Sequence, residues 1–373
     1  MSRAAAELHG RVAGGFERVA DELLAAVDGP GAAFAATVDG EPVVDVWSGE
    51  ADDAGTAWRE DTLVLVFSGT KGLVAVCLLI LVDRGLLELD APVARYWPEF
   101  AAAGKEGVLV RHVVSHEAGL PGLLPPVTAA DLLDGDGMAA RLAAAAPLWE
   151  PGTRLAYHAL TYGWLCAELV RRIDGRSLGV FFADEVAAPL ALDLWIGLPP
   201  ELEDRVATLR RAEDFGITYL GDEPEPLLEA LYGALLGSFV WNEPAYHEAE
   251  IPAANAIGAA RSIARLYGCL ACGGAPLLSP ETVRLGRSEL SRGPCAVTRR
   301  PYAFGVGFEL QTELLALGPA ADAFGHTGSG GSRHGAWPDS RVGFSFAMSE
   351  LRGEEGDDRG RRILEALAEA VAR

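Results

Sequence analysis

Apolar residues recur at helical spacing near both ends of the chain, with a longer apolar run between them. Near the start, five such residues fall on one side of a helix: Val12, Phe16, Val19, Leu23 and Leu24. The closing segment RRILEALAEAVAR has the same period, so both ends predict amphipathic helices. The run from Leu73 to Val82 is too short to span a bilayer and is followed by Asp83-Arg84, which predicts a buried helix.

Strand patterns lie toward the two ends and helical patterns lie between them. Two β-rich runs flank Asp39-Gly40, a favoured hairpin turn, within AAFAATVDGEPVVDVWSG. Strand character returns in PYAFGVGFELQ, AFGHTGSGGSRHGAW and SRVGFSFAMSE. From about residue 68 to 290 the pattern is mostly helical, and the helix predicted for TYGWLCAELVRRID ends at Gly175.

This order of elements predicts an α+β fold. One antiparallel sheet would be built from the N- and C-terminal segments and flanked by the terminal helices, with a large helical subdomain inserted and packed against it. We interpret residues 1–373 as a single catalytic domain, with an α/β part at about 1–67 and 296–373 and a mainly helical part at about 68–295. The cleft between the two parts is the expected place for a site.

Composition narrows the classes of partner. The chain has 373 residues, half of them apolar, and a formal net charge of −22, which disfavours binding to nucleic acid. The N-terminus lacks the unbroken apolar run of a signal peptide, so we expect a soluble, cytoplasmic protein without membrane association. The oligomeric state stays open.

Cysteines and histidines give little indication of a metal or redox centre. The five cysteines are odd in number, and Cys269 and Cys272 form a CxxC inside an apolar helical run without a second pair, which favours buried small side chains. His112 and His116 are four residues apart, but no evident carboxylate or cysteine completes a metal site. No phosphate-binding loop, dinucleotide fingerprint or calcium-binding loop is present, so we expect no cofactor.

The segment FSGTKG at the start of the most apolar helix carries candidate chemistry. Ser68 and Lys71 are three residues apart and therefore share a helical face. A serine hydroxyl needs a base to become a nucleophile, and a lysine in an apolar setting loses its proton more easily. The alternative is an N-cap serine and an ordinary surface lysine.

A second serine motif competes with Ser68. Residues 175–179 read G-R-S-L-G, the pattern of a nucleophile elbow around Ser177. Such an elbow needs a strand before the serine, but the residues before it are helical. Gly175 is better interpreted as a helix C-cap and Ser177 as an N-cap.

Three motifs in order then give a resemblance that covers about residues 30–350. The chain resembles the serine β-lactamase and penicillin-binding-protein superfamily, through Ser68-Gly69-Thr70-Lys71, Tyr157-His158-Ala159 and His326-Thr327-Gly328. It is most similar to the class C β-lactamase-like (family VIII) carboxylesterases. The segments LVDRGLLELDAPVARYWPEF, VVSHEAGLPG and WEPGTRLAYHALTYGWL share the likeness.

The resemblance implies a serine hydrolase that works through an acyl-enzyme. Ser68 would attack the acyl carbon, and Lys71 and Tyr157 would handle its proton, in an order that the sequence leaves open. The N–H groups of Ser68 and Ser329 would form the oxyanion hole, with His326 and Gly328 beside the substrate. Four further residues are candidates for the pocket wall, where core packing is the alternative for the aromatic ones: Phe239, Trp241, His334 and Trp337.

Two departures from the family pattern bear on the substrate. Ala159 stands where the β-lactamases of this branch have Asn, and His326 stands where they have a carboxylate-binding Lys. Both favour an uncharged ester or amide as the small-molecule substrate, and we interpret the protein as a carboxylesterase that acts on small uncharged esters. An acyltransferase, a β-lactamase or D-amino-acid peptidase, and a non-catalytic scaffold remain as alternatives.

Overall fold

The two ends of the chain pair in one antiparallel sheet, which confirms the predicted α+β fold. The structure is a computed structural model that describes residues 7–215, 231, 240–354 and 356–373. Nine of the described strands form this sheet, in the order β1-β3-β2-β13-β12-β11-β10-β9-β8. The strands of the described residues are β1 (His9–Val12), β2 (Ala32–Val38), β3 (Glu41–Ser48), β4 (Val64–Leu65), β5 (Leu194–Ile196), β6 (Arg210–Arg211), β7 (Ala256–Gly258), β8 (Ser291–Pro294), β9 (Pro301–Phe304), β10 (Glu309–Leu310), β11 (Phe324–Thr327), β12 (Arg333–Trp337), β13 (Val342–Met348) and β14 (Glu350–Leu351).

Helices occupy most of the chain between β4 and β8 and also lie at both ends. The α-helices of the described residues are α1 (Glu17–Ala26), α2 (Thr70–Asp83), α3 (Val110–Val114), α4 (Gly135–Ala144), α5 (Thr161–Asp174), α6 (Leu178–Phe182), α7 (Ala188–Leu190), α8 (Pro244–Glu248), α9 (Ala260–Ala271), α10 (Pro280–Gly286) and α11 (Arg359–Val371). Short 3-10 helices lie at Val93–Arg95, Pro98–Gly104, Asp131–Leu133, Pro200–Arg205 and Pro338–Ser340, and Ala183–Ala187 is a π-helical turn. None of the helices in the described ranges is long and apolar enough to cross a membrane.

The centre of the sheet joins an N-terminal hairpin to a C-terminal strand. Strand β13 pairs with β2 over its whole length, from Val342 opposite Val38 to Met348 opposite Ala32. Strands β2 and β3 are connected at Asp39 and Gly40, whose φ values of 54° and 83° are those of a two-residue hairpin turn. The predicted hairpin is confirmed.

Helices cover both faces of the sheet. Alternation along the strands directs Trp337 toward Leu364 of α11, whereas Gly343 lies against α9 on the opposite face. A Cβ at Gly343 would lie 2.0 Å from the backbone nitrogen of Gly268 in α9. The helix therefore packs this closely on the sheet only because both contact positions are glycine.

The N-terminal prediction is partly wrong. Helix α1 begins at Glu17 and buries Val19 and Leu23 as expected, but Val12 belongs to β1, where it pairs with Val44 of β3. The turn after β1 contains Gly14 and Gly15 and interrupts any helix from Val12. Pairing on the sheet edge gives the backbone of β1 hydrogen-bond partners that a helix would otherwise supply.

The buried helix and the helix ending at Gly175 are confirmed. In α2 every residue from Thr70 to Leu81 is buried, which explains why its sequence shows no polar face. Helix α5 ends at Asp174, and Gly175 follows with φ of 94°, the left-handed cap that glycine adopts without cost. Helix α2 packs on α5 and also contacts β11 of the sheet, so its N-terminus lies where the helical part meets the sheet.

Candidate active site

Ser68 lies in a tight turn between β4 and α2. The Val66 N–H donates to the Ala256 carbonyl, which fixes the chain just before the turn. Phe67 has φ of 46°, a left-handed conformation that is strained for an aromatic residue. Trp241 packs edge-on against the Phe67 ring, with ring centroids 5.3 Å apart. This arrangement holds Ser68 half-buried at the end of the turn.

Lys71 reaches Ser68 from the first turn of α2. Its Nζ lies 3.1 Å from Ser68 Oγ and 2.8 Å from each of the carbonyl oxygens of Ala159 and Ala253. The side chain is fully buried, and this burial lowers the pKa of the amine well below its usual range. The three partners of Nζ match the three N–H donors of an ammonium. In the neutral amine, which has two N–H donors and one lone pair, the two carbonyls would take both donors and leave the lone pair for Ser68.

Tyr157 approaches Ser68 from the other side. Its hydroxyl lies 2.8 Å from Ser68 Oγ, and Lys71 Nζ lies 4.9 Å from the centroid of its ring. The ring stacks on Tyr302 of β9 at 5.1 Å and is nearly parallel to Phe304. The structure therefore brings together the three predicted side chains, Ser68, Lys71 and Tyr157, although they lie 89 residues apart at the extremes.

The third predicted motif runs along the end of β11, beside Tyr157. His326 is buried, and its Nδ1 lies 2.7 Å from the Thr327 carbonyl oxygen. Burial lowers the pKa of His326 to about 4 despite the nearby Glu309 carboxylate, so the imidazole is neutral at pH 7 and does not form an ion pair. Glu309 instead accepts hydrogen bonds from the backbone N–H and hydroxyl of Thr327, at 2.9 and 2.8 Å.

Gly328 permits a close approach between this strand end and the turn that carries Ser68. A Cβ at position 328 would lie 2.4 Å from the Val66 carbonyl oxygen and 2.3 Å from Ser332 Oγ. Any side chain there would push β11 away from Ser68. Gly328 and Ser329 line the same cleft as Ser68, Tyr157 and His326.

This cleft is open to solvent, and several charged residues line it. Arg300 pairs with Glu354, and Arg352 pairs with Glu350. Arg333 donates to the Ala316 carbonyl oxygen at 2.6 Å. These three arginines that line the cleft are thus engaged by groups of the protein itself.

The aromatic candidates for the pocket wall have different positions. Trp241 is buried behind Phe67 and supports the turn next to Ser68. Trp337 is buried on the α11 side of the sheet, where its Nε1–H donates to Leu317 O at 2.8 Å and its ring packs on Phe344. Core packing is therefore the alternative that the structure favours for Trp337. Phe239 lies outside the described residues.

His334 is buried in the sheet rather than exposed to the cleft. Its Nδ1 lies 2.8 Å from Ser345 Oγ, and its ring packs against Gly69, one residue after Ser68. Burial lowers its pKa to about 3, so it carries no charge near neutral pH. His334 therefore packs against the turn that carries Ser68, through its contact with Gly69.

The competing serine is a helix cap. Ser177 Oγ accepts the Val180 N–H at the start of α6 and donates to Glu250 Oε1 at 2.6 Å. The chain before it is the end of α5, so the strand that a nucleophile elbow needs is replaced by a helix. The prediction that Ser177 is an N-cap is confirmed.

The two histidines of the HxxxH spacing point to different partners. His112 Nδ1 accepts the Leu109 N–H at 3.3 Å, and His116 Nδ1 accepts the His158 N–H at 3.0 Å.

Cys269 of the CxxC donates to the Gly274 and Ala275 carbonyl oxygens, both at 3.3 Å. In the described part of the chain, no group of three or more His, Cys, Asp or Glu side chains is arranged to hold a metal ion.

Sequence reasoning missed the contacts that several groups make around the site. The carbonyl of Ala253 orients Lys71, Glu309 fixes Thr327, and His116 contacts the backbone beside Tyr157. Every residue has a backbone carbonyl, so the residue type at position 253 could not indicate that its carbonyl contacts Lys71. Glu309 stands alone as a charged residue in the strand pattern GVGFELQ, which was the one available indication of a buried role.

Comparisons with known proteins agree with this geometry. The protein-family model described as Beta-lactamase matches residues 16–368. The Esterase/beta-lactamase LipL of Mycobacterium tuberculosis (strain ATCC 25618 / H37Rv) is 39% identical over 338 residues, which are 86% of this chain and 77% of that protein. The crystal structure of a family VIII carboxylesterase superposes with a TM-score of 0.89 at 37% identity, covering 98% of this chain and 100% of the other.

A further solved structure gives the same fold. A penicillin-binding-protein homologue from Caulobacter crescentus has a TM-score of 0.88 and 36% identity, covering 98% of this chain and all of that one. The match to the family model spans nearly the whole chain, and the similar proteins include esterases at high coverage. The chain therefore belongs to the beta-lactamase family and is a serine hydrolase of the carboxylesterase type.

Proposed function

We propose that the protein hydrolyses small uncharged esters through an acyl-enzyme on Ser68, with Lys71 as the first base and Tyr157 as the proton donor to the leaving group. The observation that carries this proposal is the contact of Ser68 Oγ with two proton-handling groups at once, Lys71 Nζ at 3.1 Å and the Tyr157 hydroxyl at 2.8 Å. Both distances are short enough for proton transfer.

The acylation step follows from the hydrogen bonds of Lys71. The Ser68 hydroxyl gives its proton to the Lys71 lone pair while its oxygen attacks the ester carbon, and the carbonyl oxygen becomes an oxyanion. The N–H groups of Ser68 and Ser329 are the proposed donors to that oxyanion.

Collapse of the tetrahedral intermediate then breaks the bond to the alcohol. The leaving alkoxide takes the Tyr157 proton, and the resulting phenolate takes a proton from the Lys71 ammonium beside it. Water then attacks the acyl-enzyme, and the same groups work in reverse to release the acid. The sequence left the order of Lys71 and Tyr157 open, and the two carbonyls that occupy the amine's donors support Lys71 as the first base.

The preference for an uncharged substrate is supported by the charge of the cleft. His326 is neutral at pH 7, and it replaces the lysine that the β-lactamases use to attract a carboxylate. Arg300 and Arg352 are paired with glutamates, and Arg333 is bonded to a carbonyl oxygen. A carboxylate on the substrate would have to compete with these partners.

Two experiments test the proposal. Labelling with a fluorophosphonate followed by peptide mass spectrometry should place the adduct on Ser68, and the adduct should disappear in Ser68→Ala. An adduct on Ser177 would overturn the assignment. For the substrate, p-nitrophenyl butyrate should give a higher kcat/KM than the hemisuccinate of the same phenol, which differs mainly by a terminal carboxylate. Faster turnover of the hemisuccinate or of nitrocefin would contradict the uncharged-ester proposal.

We also propose that the protein acts in the cytoplasm. All five of its cysteines are free thiols, a state typical of reducing compartments. Cell fractionation with an antibody to the protein tests this, and recovery in an extracellular or periplasmic fraction would contradict it.

A further inference from the structure

His116 holds the backbone on both sides of Tyr157. Its carbonyl oxygen accepts the Ala156 N–H at 2.9 Å, and its Nδ1 accepts the His158 N–H at 3.0 Å. One residue thus accepts the backbone N–H groups of the residues immediately before and after the tyrosine. Contacts of this kind fix the direction in which the Tyr157 side chain leaves the backbone.

The same residue also supports the tyrosine ring. The imidazole of His116 lies against the ring of Tyr157, with centroids 5.0 Å apart, and against Phe304 at 4.2 Å and Tyr162 at 5.1 Å. The backbone of His116 has φ of 63°, a left-handed conformation that is uncommon outside glycine. This turn of the chain lets the carbonyl and the ring nitrogen face the 156–158 segment together, and backbone strain of this kind often accompanies functional positions.

The hydrogen bond to His158 requires a neutral imidazole. An acceptor at Nδ1 must be unprotonated, since an imidazolium would place its own N–H against the His158 N–H. Burial lowers the pKa of His116 well below its usual range, and the nearby His158, Lys71 and His326 act in the same direction. The lowered pKa and the hydrogen bond from the His158 N–H both favour the neutral, accepting ring near neutral pH.

We propose that His116 is a positioning residue that sets the Tyr157 hydroxyl against Ser68. This inference rests on the proposed role of Tyr157 in proton transfer. A tyrosine hydroxyl lies roughly 6.5 Å from its Cα, so a tilt of about 10° moves it by about 1 Å, a displacement that can cost about 10²-fold in rate. His116 resists that tilt at the backbone and at the ring.

Substitutions separate the two contributions of the side chain. Asn keeps an acceptor close to the position of Nδ1 and tolerates a left-handed backbone, but it lacks the ring. Phe keeps a ring and lacks the acceptor. We expect His116→Phe to lower kcat for p-nitrophenyl butyrate by about 10- to 10²-fold with little change in KM, and His116→Asn to recover part of that loss. His112→Asn, four residues earlier and bonded to Leu109, is the matched control and should keep the wild-type kcat.

A double-mutant cycle distinguishes positioning from a general structural role. If His116 acts through the Tyr157 hydroxyl, His116→Phe should cause less than about a 2-fold further loss in a Tyr157→Phe background, since the group that it positions is already gone. Equal losses in both backgrounds, or wild-type kcat in His116→Phe, would overturn the proposal while leaving the function of Tyr157 intact. Wild-type kcat in Tyr157→Phe alone would overturn the role of Tyr157 and the positioning role with it. Ser68 labelling would then still report separately on the nucleophile.

Discussion

Four buried neutral histidines should make the fold sensitive to mild acid. His116, His158, His326 and His334 have relative exposures between 0% and 2%. Burial is the largest cause of the low pKa of each: about 4 for His158 and His326, about 3 for His334, and well below 6.5 for His116. In the unfolded chain their pKa returns to 6.5, so between pH 6.5 and about 4 the unfolded state binds more protons and stability falls as the pH falls.

The size of the effect follows from linkage. Each pKa unit corresponds to about 1.4 kcal/mol, and lowering the pH from 7 to 5 should cost about 2 kcal/mol for each histidine whose folded pKa is 4 or below. The three histidines whose folded pKa is about 3 or 4 together cost about 6 kcal/mol, and His116 acts in the same direction, so the loss is comparable to the whole stability of a typical domain, about 5–15 kcal/mol. Burial raises the pKa of the Asp45 and Glu117 carboxyls, which opposes the trend.

Urea unfolding monitored by tryptophan fluorescence at several pH values from 7 to 5 measures this dependence. The free energy of unfolding should fall steeply, by about 6 kcal/mol or more over the range, and His334→Asn should reduce that fall by about 2 kcal/mol whatever its stability at pH 7. His9→Asn is the control, because His9 is exposed on β1. A free energy that stays constant from pH 7 to 5, or an unchanged pH slope in His334→Asn, would refute the reasoning.

Three further predictions concern the site and the competing serine. Because burial lowers the pKa of Lys71, kcat/KM for a neutral ester should rise with pH along an acid limb whose midpoint lies below the ordinary lysine range. Lys71→Met should lower kcat by at least ~10²-fold. Near-normal rates in that variant would remove Lys71 from the mechanism. Gly328→Ala should lower kcat/KM by about 10-fold or more, because its Cβ would lie 2.4 Å from Val66 O, and a wild-type value would show that the strand end need not approach the turn so closely. Glu250→Gln should weaken the hydrogen bond from Ser177 and lower the unfolding free energy by about 1 kcal/mol without changing kcat/KM, whereas a large loss of activity would restore Ser177 as a candidate nucleophile.

The sequence was most informative where local physics decides the structure. A helix buried on all sides must be apolar throughout, and α2 satisfies that rule from Leu73 to Leu81. Asp39-Gly40 specifies a turn that few other pairs can form, and Gly175 a left-handed helix cap. Each of these features was predicted because its residue types or its hydrophobic pattern are typical of one local structure.

Predictions failed where contacts between distant parts of the chain determine the local structure. Val12 fits the spacing of a helix, but it lies in β1, which pairs with the edge of the sheet at β3 and forms its backbone hydrogen bonds there. The N-cap alternative for Ser68 and the surface alternative for Lys71 were also reasonable locally. Only the carbonyls of Ala159 and Ala253, far along the chain, explain why Lys71 is buried.

Burial connects the chemistry of the site to its acid sensitivity. The burial that lowers the pKa of Lys71, the proposed base, also surrounds His116 and His326, and an ammonium or an imidazolium would be costly there. Lys71 has a lowered folded pKa, so its contribution to stability is present above its unfolded pKa and is lost as the pH falls through the folded value. In the proposed mechanism the site thus gains a base at the expense of stability, and the same burial that lowers the pKa of Lys71 and of the histidines should set the lower pH limit of the folded protein.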